Sequence, residues 1–169
     1  MKKALSLGAL SLALLVVAFS LGPVPPVDTQ LTPAQLPADL ERYLSESEAR
    51  HADITPGSEK TIVWAHPDKR QTDLAIIYLH GYSATRQETA PLSDRLAQQL
   101  GANLFYTRLT GHGRSEAAMA EASVHDWLQD SQEALQIGQR LGKQVLVIGT
   151  STGATLATWL ALQGDNPQV

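Results

Sequence analysis

The sequence predicts an α/β fold, a mostly parallel sheet with helices on both faces. Three observations carry that expectation. From Thr61 onward, short apolar runs alternate with longer segments of helical period. Two of those runs, residues 74–79 and 144–148, are nearly continuous in Leu, Ile, Val and Ala, the pattern of strands buried on both faces. Glycines punctuate the ends of the helical segments, and strand–helix–strand order implies right-handed crossovers between parallel strands.

Composition sets the frame for the elements. The 169 residues are 43% hydrophobic and 18% charged, which suits a globular domain and excludes a disordered chain. The formal charge is −4, although Lys2 and Lys3 sit at the very start. An acidic body argues against a nucleic-acid partner. No cysteine is present, so a disulfide framework, a thiolate metal site and a cysteine nucleophile are excluded.

Residues 1–21 open with Met1-Lys2-Lys3 and continue through eighteen uncharged residues to Leu21, before Gly22-Pro23. A basic start followed by a Leu/Ala/Val run predicts a secretory signal, with Ala18-Phe19-Ser20 offering small residues for cleavage. The same run, residues 4–21, is just long enough to serve as an uncleaved membrane anchor. Both alternatives place the domain outside the cytosol: anchored in an inner membrane, periplasmic or secreted. Residues 22–37 contain five prolines (Pro23, Pro25, Pro26, Pro33 and Pro37) and predict an extended spacer. The folded domain is expected over residues 38–169.

Within it, residues 39–51 have helical composition, with Leu36, Leu40, Tyr43 and Leu44 on one side, and Pro56-Gly57 closes that piece as a turn. Residues 61–65 predict a strand, 68–73 a polar turn, and 74–79 a second strand. Residues 88–100 predict a helix with the stripe Leu92, Leu96 and Leu100, closed by Gly101. Residues 103–107 form the next strand. Ser123-x-x-Asp126 is a capping signature opening a helix to Leu141, with the inner stripe Val124, Leu128, Ser131, Leu135 and Gly138. Residues 144–148 are the last strand, and 154–162 the last helix.

Between these two lies Gly149-Thr150-Ser151-Thr152-Gly153, a G-x-S-x-G sequence at a strand-to-helix turn. Such a turn leaves the central serine in a strained backbone, and the glycines on either side permit the close approach it needs. Ser151 Oγ would stand above the sheet edge, with the Thr152 N–H at the positive end of the helix. The rival reading is an ordinary phosphate-gripping loop, but neither G-x-x-x-x-G-K-[ST] nor G-x-G-x-x-G occurs. Residues 74–79 run into His80-Gly81-Tyr82-Ser83, where the Tyr82 N–H is the natural second donor to an oxyanion. His80 is read as a brace for this loop rather than as a base.

These stretches, with Arg108-Leu109-Thr110-Gly111-His112-Gly113-Arg114-Ser115, resemble the α/β-hydrolase superfamily, in its branch of carboxylesterases and of monoglyceride-lipase-like and lysophospholipase-like enzymes. Thr110 stands where that family more often has proline. The resemblance implies an α/β-hydrolase fold, Ser151 as nucleophile, and Tyr82 and Thr152 as backbone donors of the oxyanion hole. Gly149 and Gly153 become the elbow glycines. It further implies an ester or lipid substrate cleaved through an acyl-enzyme, with no metal or organic cofactor.

The family's order is Ser, then acid, then His. After Gly153 the sequence holds one acid, Asp165, and no histidine. His51, His66, His80, His112 and His125 all precede Ser151, so no residue of this chain is assigned as catalytic acid or base. The expectation is therefore an incomplete hydrolase sheet, truncated just after the elbow and its helix, with residues 144–148 left at its edge although they read as a central strand, and an inactive chain. The alternative is a non-catalytic, membrane-tethered α/β module or a pseudogene remnant. A third possibility is a separately encoded C-terminal half that completes the sheet.

Overall fold

A computed structural model describes residues 2–22 and 27–163, excepting the side chains of 2–7 and 9. Its helices are α1 (Lys2–Leu21), α2 (Leu40–Glu48), α3 (Leu92–Leu100), α4 (Glu116–Glu121), α5 (Val124–Leu141) and α6 (Thr152–Leu162). Its strands are β1 (Thr61–Val63), β2 (Thr72–Leu79), β3 (Asn103–Tyr106) and β4 (Gly142–Gly149). They form one sheet in the order β1-β3-β2-β4. Strand β2 pairs in parallel with both β3 and β4, while β1 is antiparallel to β3. This is the expected mostly parallel α/β architecture.

Side-chain alternation along β2 divides the core in two. Ala75, Ile77 and Leu79 face one layer with Phe105, where α2, α5 and α6 bring Leu44, Leu135, Ile137, Leu156 and Leu160. Ile76 and Tyr78 face the other with Leu104 and Tyr106, where α3 brings Ala97. Helix α5 begins as its sequence requires. Ser123 and Asp126 form a full capping box, and Leu128, Ser131, Leu135 and Gly138 are buried. Gly138 is required there, because a Cβ would lie 2.8 Å from the Ile77 methyl.

Four expectations are corrected. The helix expected over 88–100 is broken: Arg86–Thr89 is a 3-10 turn, and α3 starts only after Pro91. Proline lacks an N–H and drives the preceding residue out of the helical region, and Ala90 sits at φ −60°, ψ 140°. The rotated helix buries Ser93 and Ala97, leaving Leu92 and Leu100 exposed at the ends of the expected stripe. Val124, also expected inside, is exposed at the first position of α5. Strand β4 is not buried on both faces. It lies at the sheet edge, as expected, paired only with β2, and no described helix covers its α3-side face, so Leu146 is 37% exposed.

At the N-terminal end, α1 occupies the uncharged run, and its hydrophobic residues from Leu10 to Leu21 are exposed. Among the described residues, no helix is long and apolar enough to cross a membrane. Pro23, Pro25 and Pro26 lie outside the described residues. From Val27 the proline-rich segment is irregular, and it lies along α5 rather than standing free. The Gln129 side chain accepts from the Thr32 N–H and donates to the Thr32 carbonyl, and Gln136 accepts from the Ala34 N–H. Arg140 donates to the Leu36 and Pro37 carbonyls, and His125 Nδ1 lies 3.0 Å from the Asp28 carbonyl.

Candidate active site

The site begins at the last rung of the β2–β4 ladder, where Leu79 is opposite Gly149. Beyond this rung the Thr150 N–H still donates to the Leu79 carbonyl at 3.1 Å. The two chains then part, β2 into His80-Gly81-Tyr82 and β4 into Ser151 and α6. Parallel pairing thus brings the two sequence motifs to the same carboxyl edge of the sheet.

Ser151 has φ 49° and ψ −113°, a positive-φ conformation rare for any residue but glycine. It is exposed and occupies the N-cap of α6 without a side-chain capping bond. Such a conformation stores roughly 1–3 kcal/mol and persists only where its surroundings dictate it. The surroundings here are two bare backbones in contact. A side chain at Gly149 would strike the Gly153 carbonyl, and one at Gly153 would strike the Leu79 carbonyl. Thr152 is the first residue of α6, where an N–H has no intrahelical partner.

Tyr82 is 61% exposed. Its ring meets His112 and Trp127 edge-on, with centroids 6.0 and 6.1 Å away. Trp127 was not singled out by its sequence, and it also anchors the 108–115 loop by donating to the Thr110 carbonyl at 3.0 Å. Asp130 was missed as well. It accepts from the Thr110 N–H at 2.6 Å, and burial raises its carboxyl above the ordinary range, opposed by Lys60. Both sit one and two turns into a helix read only for its apolar stripe.

The two buried histidines hold loops. His80 Nδ1 donates to the Gly81 carbonyl at 2.9 Å and Nε2 accepts from the Leu109 N–H at 3.1 Å. The ring is therefore neutral and committed at both nitrogens, and burial lowers its pKa to about 4. His112 is 1% exposed, with Nδ1 3.1 Å from the Thr110 carbonyl and Nε2 buried without a hydrogen-bond partner. Burial lowers its pKa too. His125 is half-buried in the first turn of α5, and Asp165 lies outside the described residues.

Two carboxylates fix the surrounding backbone. Glu48 takes a bidentate pair from Arg108 at 2.8 and 2.9 Å inside the core, and Arg108 also donates to the His112 carbonyl. Glu88 reaches inward from the 3-10 turn to the Gly81 N–H and the Tyr78 hydroxyl, each at 2.9 Å. The Thr85-x-x-Glu88 spacing was a helix-start signal in the sequence, but nothing in it pointed to these partners. Among the described residues, no group of three or more His, Cys, Asp or Glu side chains is placed to hold a metal ion.

Known proteins resemble this chain in sequence and in fold. Residues 70–169 match the family described as serine aminopeptidase, S33. A thermostable monoacylglycerol lipase from Bacillus sp. (strain H-257) is 28% identical over 88 residues, 52% of this chain and 35% of the lipase. A solved chain from work on LipS and LipT, two metagenome-derived lipolytic enzymes, superposes with a TM-score of 0.57 at 26% identity. That superposition covers 65% of this chain and 42% of the other. The chain thus spans about a third of the length of the curated relative it matches.

Proposed function

Because the chain belongs to the serine aminopeptidase S33 family of α/β-hydrolases, we propose that it carries the nucleophile and oxyanion hole of a serine hydrolase for carboxylic esters. The backbone of Ser151 supports the reading most directly. A strained serine at the carboxyl edge of a parallel sheet, opening a helix, is how this fold presents a nucleophile. Ser151 Oγ attacks the ester carbonyl, and the developing oxyanion accepts from the N–H groups of Tyr82 and Thr152. Collapse expels the alcohol and leaves an acyl-enzyme, which water then cleaves. The lipolytic relatives favour a lipid or other ester over a peptide.

The proposal assigns no base or acid within these 169 residues. His80 has both ring nitrogens committed, and His112 is enclosed among aromatic rings. This favours, as a second reading, a module that binds without turnover. One experiment separates them. A fluorophosphonate probe should label the protein as its own host makes it, and Ser151→Ala should abolish labelling without changing the fold. Undiminished labelling of Ser151→Ala would remove Ser151 from the mechanism. Purified residues 1–169 should turn over p-nitrophenyl esters no faster than their Ser151→Ala form.

Export completes the proposal, supported by the basic start and the uncharged run to Leu21. Recovery of the native protein wholly in the cytosol would overturn it.

A further inference from the structure

Building on that reading, we propose that Glu88 is a positioning residue which locks the loop carrying Tyr82 to the turn carrying Ser151. Both N–H donors of an oxyanion hole must be aimed at one point, yet here they come from different loops. Backbone pairing between the two ends at the Leu79 carbonyl, which accepts from Thr150. Past that point the link is made by side chains. Glu88 Oε2 accepts from the Gly81 N–H and from the Tyr78 hydroxyl, each at 2.9 Å. The Tyr78 oxygen lies 3.1 Å from Thr150 Oγ1, whose proton it accepts because its own goes to Glu88. The chain of bonds therefore runs Gly81, Glu88, Tyr78, Thr150, and its two ends are the residues next to Tyr82 and Ser151.

The elements that hold this chain are rigid. Tyr78 is fully buried on β2, with its ring edge-on to Tyr106 at 5.9 Å. Glu88 is an exposed residue on the 3-10 turn, but its carboxylate points inward. An added Cβ at Gly81 would stand 2.7 Å from Glu88 Oε1, so a side chain there would push the carboxylate from its place. A charged acceptor also makes a stronger bond to an amide than a neutral one does. Glu88 touches no reacting atom in this scheme. It sets the separation of the two donors.

The test needs no turnover. Amide hydrogen exchange is compared in wild type, Glu88→Ala, Glu88→Gln and Glu88→Asp. Glu88→Ala should speed exchange of the Gly81 amide at least tenfold while residues 75–79 stay within about twofold. Glu88→Gln keeps an oxygen at the same reach and should stay within about threefold of wild type. Glu88→Asp keeps the charge but is one methylene short, and should behave like alanine. Unchanged Gly81 exchange in Glu88→Ala, or equal loosening across the whole sheet, would overturn the proposal. If Glu88→Ala does not fold, the opposed Gln and Asp outcomes still decide it, and equal behaviour of the two would sink it.

Fluorophosphonate labelling of the host-made protein gives the functional readout. Ser151 labelling should slow at least tenfold in Glu88→Ala and be restored by Gln. Labelling at an unaltered rate in Glu88→Ala counts against the positioning role. Wild type that is never labelled refutes the serine-hydrolase reading instead, and the exchange experiment then decides the Glu88 link alone.

Discussion

The carbonyl oxygen of Leu79 occupies the space that a side chain at Gly153 would need. The same oxygen accepts from the Thr150 N–H at 3.1 Å, so the end of β2 grips the Gly149–Gly153 turn at two places. Contact between a strand and a helix start at backbone distance is what forces Ser151 out of the allowed regions. Strain at the serine and the need for glycine at 153 are one packing fact.

Gly153→Ala should therefore destabilise the domain by about 3 kcal/mol or more, since neither backbone can yield cheaply. In an open helix interior the same change would gain about 1 kcal/mol. Thermal unfolding of the two proteins measures the sign directly. A neutral or stabilised Gly153→Ala would mean that β2 and α6 are further apart than described.

Ser151→Gly should be more stable than Ser151→Ala by about 1 kcal/mol, because glycine relieves the positive φ and alanine does not. Glycine's larger unfolded-state entropy takes back part of the gain. Denaturant unfolding of the pair gives the difference. Equal stabilities would show that the backbone at 151 is not strained.

How much of this was legible in the sequence depended on the range of the interaction. Residues 144–148 followed by G-x-S-x-G fix the elbow locally, because the glycine spacing and the strand-to-helix change are neighbours in the chain. Ser123 and Asp126 announced the start of α5 in the same way. Pro91 is equally visible, but the leucine spacing of 92, 96 and 100 predicts a helix that starts before it, whereas the proline sets the start at Leu92. Glu88, Trp127 and Asp130 carry no site signal in the sequence, since Glu88 reaches Gly81 only when the loop after β2 folds back through a 3-10 turn, and Trp127 and Asp130 reach Tyr82 and Thr110 only when α5 packs against those loops. β4 is legible as a strand at the sheet edge but not in the burial of its faces. Its residues have a composition suited to burial on two faces, whereas its exposure depends on which elements flank it.

His80 makes stability depend on pH in a defined window. Folded, its pKa is lowered to about 4 by burial, against 6.5 ordinarily. Above the ordinary value it is neutral folded or unfolded. As pH falls toward 4, the unfolded chain binds a proton that the folded one refuses, so stability is lost through that window and levels below it. The loss from this group is on the order of 3 kcal/mol. Unfolding free energies from pH 7.5 to 4 should show it, and His80→Asn should have a shallower slope. Parallel slopes would mean that His80 accepts a proton within the fold.

Glu48→Ala should cost about 3–5 kcal/mol, because it strands the Arg108 guanidinium, 5% exposed, without its partner. The Lys60 N–H, which donates to Glu48 at 3.1 Å, is orphaned with it. Replacing Glu48 and Arg108 together by apolar residues should cost less than Glu48→Ala alone, and urea unfolding of the set tests that ordering.

The proline-rich segment yields the last prediction. His125, Gln129, Gln136 and Arg140 recur at intervals of four, seven and four along α5, a spacing that keeps them on one helical face. Each meets backbone of the segment between Asp28 and Pro37, and backbone contacts hold whatever side chains the segment carries. Gln129 is the strongest member, bonded to both the N–H and the carbonyl of Thr32. A net hydrogen bond is worth about 1 kcal/mol, and all of these but the Ala34–Gln136 bond are exposed, so the segment is held by only a few. Gln129→Ala with Gln136→Ala should free residues 28–36 while leaving the sheet intact. Amide exchange at Thr32 and Ala34 should rise at least tenfold, and protease cleavage within the segment should quicken, with the unfolding midpoint nearly unchanged. Equal exchange in wild type and double variant would mean that the segment stands free of α5, and that its prolines alone set its path.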